Sequence, residues 1–254
     1  MIHLQYADFD DLFFELNQDI LLSPSKYISK MSGSNGKVPF MVIELDSWEC
    51  DLDLADMFYT KNKFNKLLES YLDKETWLQF KDKLGTTKST ACTLYFKQSK
   101  PKRGSASGNG PCLISIVLTR IKRTDKWNEA TISYRTTELN RRFAADLVLF
   151  NRIINELPDC CEIEKVNMVI PGSYVSGMVM AGQLNLFGVE REDIETKEPF
   201  HKALQKKLDG VLQPDHKLSP YKAMARIQRA VNGQKTYKPI PIDGLSIQDY
   251  FDKH

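Results

Sequence analysis

At 254 residues the chain is long enough to bury a sizeable core without disulfide or metal staples. A content of 42% hydrophobic and 27% charged residues is ordinary for a globular protein and excludes a collagen-like, wholly disordered or membrane-spanning chain. Thirty-five basic against 33 acidic residues leave a net charge of +2. No global field draws such a chain to nucleic acid or an anionic membrane, so any anion site has to be local.

Five cysteines occur: Cys50, Cys92, Cys112, Cys160 and Cys161. An odd number, an adjacent pair and the absence of CxxC argue against a disulfide framework and against a cysteine zinc site. The stretch Met1 to Asp11 lacks the basic head and apolar run of a secretion signal. No window approaches the roughly 18 to 20 apolar residues that cross a bilayer. The expected setting is reducing and cytoplasmic.

Along the chain, Tyr6 to Leu22 carries Phe9, Leu12, Phe13, Leu16 and Ile20 at helical spacing and predicts a helix stopped at Ser23-Pro24. A Gly/Ser/Asn turn over Ser32 to Lys37 precedes a strand from Val38 to Leu45, and Leu52 to Leu84 reads as mostly helical. Thr93 to Lys97 is a short strand, followed by a basic Gly/Ser-rich loop from Gln98 to Gly110. Cys112 to Lys122 is a strong strand with Ile114, Ile116 and Leu118 on one face. A turn at Asp125 to Asn128 leads to its hairpin partner, Glu129 to Arg135. Arg141 to Leu157 is a helix stopped by Pro158, and Ile163 to Ile170 returns as a strand before Pro171-Gly172-Ser173. From about Glu190 the chain is charged and helical in pattern, with breaks at Pro214, Pro220 and Gly233. Without repeats or heptads, the mixture predicts one α+β domain over residues 1–254, built on a mostly antiparallel sheet with flanking helices.

No phosphate-loop, dinucleotide, zinc-protease or serine-elbow motif is present, and the histidines (His3, His201, His216, His254) are scattered. The chemistry-bearing stretch is Gly110 to Leu157. Cys112 follows Gly110-Pro111 at a strand start; a cysteine at a strand edge near arginines can have a lowered pKa and act as a thiolate nucleophile, and that is the expectation here. Arg135 with Thr136 suits a phosphate, because a guanidinium offers a forked pair of donors and the hydroxyl one more. Arg141-Arg142 open a helix where the dipole disfavours cations, which points to a local anion or partner.

The arrangement Pro111-Cys112, Arg135-Thr136, Glu138 and Asp146, the last lying 11 residues after Arg135, resembles the thymidylate synthase superfamily. The resemblance implies a thymidylate synthase-like fold and a homodimer through the sheet face. Cys112 would be the nucleophile that adds to C6 of a pyrimidine nucleoside monophosphate. Arg135 and Thr136 would be its phosphate ligands, and Glu138 a carboxylate on the side of 5,10-methylenetetrahydrofolate. Asp146 would read the base; aspartate at this place goes with hydroxymethylases acting on cytosine nucleotides, asparagine with enzymes acting on dUMP. A carboxyl group accepts from the cytosine N4 amino group. Lys30 falls at the family's phosphate-loop entry, and Ser173 and Tyr174 stand where a His-x-Tyr pair grips the sugar. The resemblance implies a methyl or hydroxymethyl nucleotide as product, for nucleotide biosynthesis or DNA modification.

Other readings stay open at this point. Cys112 also fits a buried small hydrophobe, Arg135 a surface partner of Glu138 or Asp146, and Asp146 a solvent-facing helix residue. The paired arginines that serve the family's neighbouring subunit fall near Thr90-Ala91, which fits a degenerate member that binds a nucleotide or protein partner without turnover. A third reading is nucleic-acid binding through Lys97 to Arg103 and Arg141-Arg142.

Overall fold

A computed structural model of the protein describes residues 1–22, 24–32, 35–50, 61–97, 112–140, 142–176 and 245–253. The expected basic loop from Gln98, Pro111, Arg141 and most of the charged C-terminal part lie outside these residues.

In chain order the elements begin with β1 (Ile2–Tyr6), α1 (Phe9–Leu22), α2 (Pro24–Tyr27), β2 (Lys30–Ser32), β3 (Asn35–Val38) and β4 (Met41–Leu45). Then follow α3 (Lys61–Tyr71), α4 (Lys74–Thr86), β5 (Ala91–Tyr95), β6 (Leu113–Thr119), β7 (Trp127–Tyr134) and β8 (Thr137–Glu138). The described elements end with α5 (Arg142–Asn155), β9 (Cys161–Ile170), β10 (Ser173–Ser176) and α6 (Ile247–Lys253).

Alternation of apolar and polar residues gives each strand one inward face. A six-stranded sheet has the order β1-β4-β9-β7-β6-β5, and a four-stranded sheet the order β2-β3-β10-β8. The larger sheet is mixed: β1 runs parallel to β4 and β7 parallel to β9, while the other neighbours are antiparallel. The class is thus α+β with a mostly antiparallel sheet, as the pattern predicted.

Three local departures have physical reasons. Tyr6 is not the first helical residue; it pairs with Leu45 at the end of the β1–β4 ladder, and the helix starts at Phe9. The expected strand Val38–Leu45 is two strands, because Pro39 offers no ladder donor; β3 joins the smaller sheet and β4 the larger. A register shift between Leu113 and Ser115 inserts a bulge into β6, which turns Ile114 outward (37% exposed) while Ile116 and Leu118 stay buried.

The core lies between the inward sheet face and the helices. Phe9, Leu12, Phe13, Leu16 and Ile20 bury one stripe of α1, and α5 is buried on almost every side. Gly36 is needed where β3 meets its neighbours, since a Cβ there would come within 2.9 Å of the Ile28 side chain. The last helix is capped from afar: the Glu156 carboxylate accepts from the backbone N–H groups of Ile247 (2.7 Å) and Gln248 (2.9 Å). Lys81 also bonds Gln248, at 3.0 Å.

Candidate active site

Three pieces of local structure build the site. The backbone N–H of Arg135 donates to the Cys112 carbonyl at 2.7 Å, fixing the entry of β6 beside the exit of β7. The inward phase of β7 runs through Ile132 and Tyr134, so Tyr134 points into the core and Arg135 outward. The following helix places Asp146 one turn in from Arg142, on its buried side, with 2% of its surface exposed.

Tyr71, the last residue of α3, closes the arrangement. Its hydroxyl accepts the backbone N–H of Cys112 at 3.3 Å and lies near enough to the Cys112 thiol and the Asp146 carboxyl to act on both. A nucleophile candidate and a carboxyl from distant segments are thereby joined through one phenol. Burial pushes the Tyr71 phenol well up, as do the charges of Asp146 and Cys112, so it stays protonated.

Burial is also the largest influence on Asp146, and it pushes the carboxyl up to about 8. The Arg142 guanidinium and the hydroxyls of Thr137 and Tyr71 oppose it and do not prevail. Thr137 lies near enough to favour the carboxylate, yet its Oγ1 closes no hydrogen bond of normal geometry, and Asp146 Oδ2 has no partner. Near neutral pH Asp146 is therefore a carboxylic acid that can both donate and accept. It does not face solvent.

The Cys112 thiol departs from expectation. Burial raises its pKa first, and a negative charge on Asp146 raises it further. Arg142, Arg135 and the Tyr71 hydrogen bond pull the other way without reversing the shift. The arginines are near the thiol, as the spacing predicted, but the lowered pKa is not realised because desolvation outweighs them.

Arg142 Nε lies 3.6 Å from Glu138 Oε2. The anion beside the cation at this helix start is thus Glu138, whose side chain is only 1% exposed. Arg135 is exposed and Thr136 half-buried, at the rim of the cluster.

The smaller sheet carries the remaining candidates. Ser173 lies beside Thr137, and Tyr174 beside Glu138, in the parallel ladder of β10 and β8. Ser173 is buried and its Oγ lacks a partner. Lys30 pairs with Lys37, which pairs with Tyr174, so Lys30 and Glu138 end one transverse row, roughly 14 Å apart over three strand spacings. Lys30 is exposed and is not among the charges that act on Cys112.

No protein-family model matches the chain, and no curated protein matches it. The site accordingly rests on its own geometry. Among the described residues no group of three or more His, Cys, Asp or Glu side chains could hold a metal ion. Among them, too, no helix is long and apolar enough to cross a membrane.

Tyr71, Tyr134 and Thr137 are members of the cluster that motif spacing missed. For Tyr134 a signal existed: it continues the inward alternation of Ala130 and Ile132 immediately before Arg135. Tyr71 had none, because nothing local in α3 announces where its last residue will land.

Proposed function

We propose that the protein is a pyrimidine nucleotide C5 methylase or hydroxymethylase with a thymidylate synthase-like fold, acting on a cytosine nucleotide such as dCMP. The observation that supports this most is the meeting of Cys112 and the buried, half-unpartnered Asp146 across the Tyr71 hydroxyl.

Asp146 as a neutral acid offers its O–H to cytosine N3 and its carbonyl to the N4 amino group. Arg135 and Thr136 at the rim hold the phosphate, and Ser173 and Tyr174 face the sugar. Cys112 Sγ, after losing its proton, adds to C6, and the displaced electron pair makes C5 nucleophilic. The raised thiol pKa of the free protein calls for a proton acceptor in the bound complex that takes the thiol proton. Glu138 would hold the pterin of methylenetetrahydrofolate, which supplies the one-carbon unit when bound. The same reading carries a homodimer through the face of the larger sheet and a reducing, cytoplasmic setting.

The test is release of tritium from C5-labelled dCMP and dUMP, each with and without methylenetetrahydrofolate. Release from dCMP is expected; release from dUMP alone would discard Asp146 as a cytosine reader. The raised Cys112 pKa and Thr90-Ala91 in place of paired arginines favour a second reading, nucleotide binding without turnover. Saturable dCMP binding with no release from either nucleotide would select it.

A further inference from the structure

Four buried polar atoms in and beside this cluster lack a partner: Tyr134 Oη, Thr137 Oγ1, Asp146 Oδ2 and Ser173 Oγ. They come from four different elements, β7, β8, α5 and β10. An unpaired buried polar group costs about 1–3 kcal/mol, so a fold that gathers several is built around polar atoms that are not its own. Base reading accounts for Asp146 and sugar contact for Ser173. Tyr134 and Thr137 are left over.

Tyr134 is rigidly placed. Its ring is fully buried and meets Phe143 and Phe150 edge-on, each at 5.8 Å between centroids. Its unpartnered hydroxyl lies within electrostatic reach of Asp146, Tyr71 and Cys112. In a pyrimidine ring the atoms run N3, C4, C5, C6. A group near both the reader of N3 and N4 and the nucleophile at C6 therefore lies toward the edge that carries C5. Burial, followed by the charges of Asp146, Tyr71 and Cys112, keeps the phenol protonated, so it both donates and accepts.

We propose that the Tyr134 and Thr137 hydroxyls hold the water that attacks the exocyclic carbon at C5, so that the product is the 5-hydroxymethyl nucleotide; this rests on the pyrimidine reading above. Before that step Cys112 Sγ is bonded to C6 and a methylene group is doubly bonded to C5. The water oxygen forms the new bond to the methylene carbon, and the π electrons of that double bond move into the ring toward N3. They return to restore C5=C6 and break the C6–S bond. The thiolate takes the proton that water gives up, so the sum is addition of one water and release of Cys112 as a thiol. No oxidant or reductant takes part.

Reversibility of these steps allows a test without folate. Unlabelled 5-hydroxymethyl-dCMP is incubated with the full chain in oxygen-18 water and the nucleotide is weighed by mass spectrometry. In parallel, C5 tritium exchange from labelled dCMP reports Cys112 addition alone. The wild-type protein is expected to perform both exchanges. Tyr134→Phe, which keeps the ring packing, and Thr137→Val should each slow oxygen exchange about tenfold, the loss of one hydrogen bond to the transition state, while tritium exchange persists. Oxygen exchange unchanged in both variants, or absent from a wild type that exchanges tritium, overturns the water site and leaves the pyrimidine reading standing. Equal loss of both exchanges makes the role structural and also overturns it. A folded wild type that exchanges neither label overturns the pyrimidine reading and this inference together.

Discussion

Strand β6 has cysteines near both ends, about 20 Å apart along its seven residues, and the two settings differ in kind. At one end Cys112 meets Tyr71, Arg135, Arg142 and Asp146. At the other, Cys92 pairs in register with Leu118, and Cys161 with Trp127. Burial pushes the Cys161 thiol up, and its neighbours Cys160 and Cys92 add to the effect, against Arg120 alone. Arg120 is already committed: its guanidinium sits 4.3 Å from the Trp127 ring centre and donates to the Thr87 carbonyl at 2.8 Å. Burial is common to both ends, so burial does not distinguish a candidate nucleophile. What distinguishes Cys112 is a phenol, two cations and a protonatable carboxyl within reach of one thiol.

The sharpest way to break that contrast is to remove each thiol in turn. Cys112→Ser is expected to abolish C5 tritium exchange from dCMP with the unfolding midpoint little changed, and Cys161→Ser to leave exchange at the wild-type rate. Equal effects at the two ends would mean that polar surroundings do not select the nucleophile.

Next in size is the proton on Asp146. Below about pH 3.8 the carboxyl is protonated in both folded and unfolded chains; between there and about 8 the unfolded chain ionises while the folded one holds its proton. The folded state then binds more protons, so stability falls as pH rises through that window and levels off above it. Asp146→Asn carries no such group and should gain several kcal/mol at neutral pH relative to the wild type, with a flatter profile in urea unfolding. A variant whose stability follows pH with the wild-type slope would show that Asp146 is ionised in the fold.

Arg135 sharpens the comparison from the rim. Arg135→Ala should raise the KM for dCMP about tenfold through loss of a charge-assisted bond to phosphate, with unfolding unchanged because the side chain is exposed. A KM equal to wild type would place phosphate elsewhere. The smallest expected effect lies outside both cysteine regions: Glu156→Ala should lose about 1 kcal/mol of stability with the cap of α6, without altering either exchange. A change in exchange would tie the last helix to the site.

Much of the architecture was legible because it depends on near neighbours. The β6–β7 hairpin and α5 announced themselves through period and turn residues, and α1 did so apart from its first turn. The misreadings were those of context. Tyr6 follows the helical period but is taken by a strand partner 39 positions away in Leu45. Ile114 follows the strand period but is turned out by a bulge that only the ladder with β7 reveals. The split at Pro39 was visible as a residue, yet not as the point where the chain passes from one sheet to another.

The site divides in the same way. Local spacing alone set Asp146 11 residues beyond Arg135 on a helix, and placed Cys112 at the mouth of a strand. Chain geometry over one turn, one hairpin and one helix suffices for that. Tertiary packing decided the rest: that the last residue of α3 brings its hydroxyl to Cys112 and near Asp146, that Arg142 is claimed by Glu138, and that Asp146 keeps its proton. Desolvation depends on every segment that closes over a group, and those segments meet only once the chain is folded.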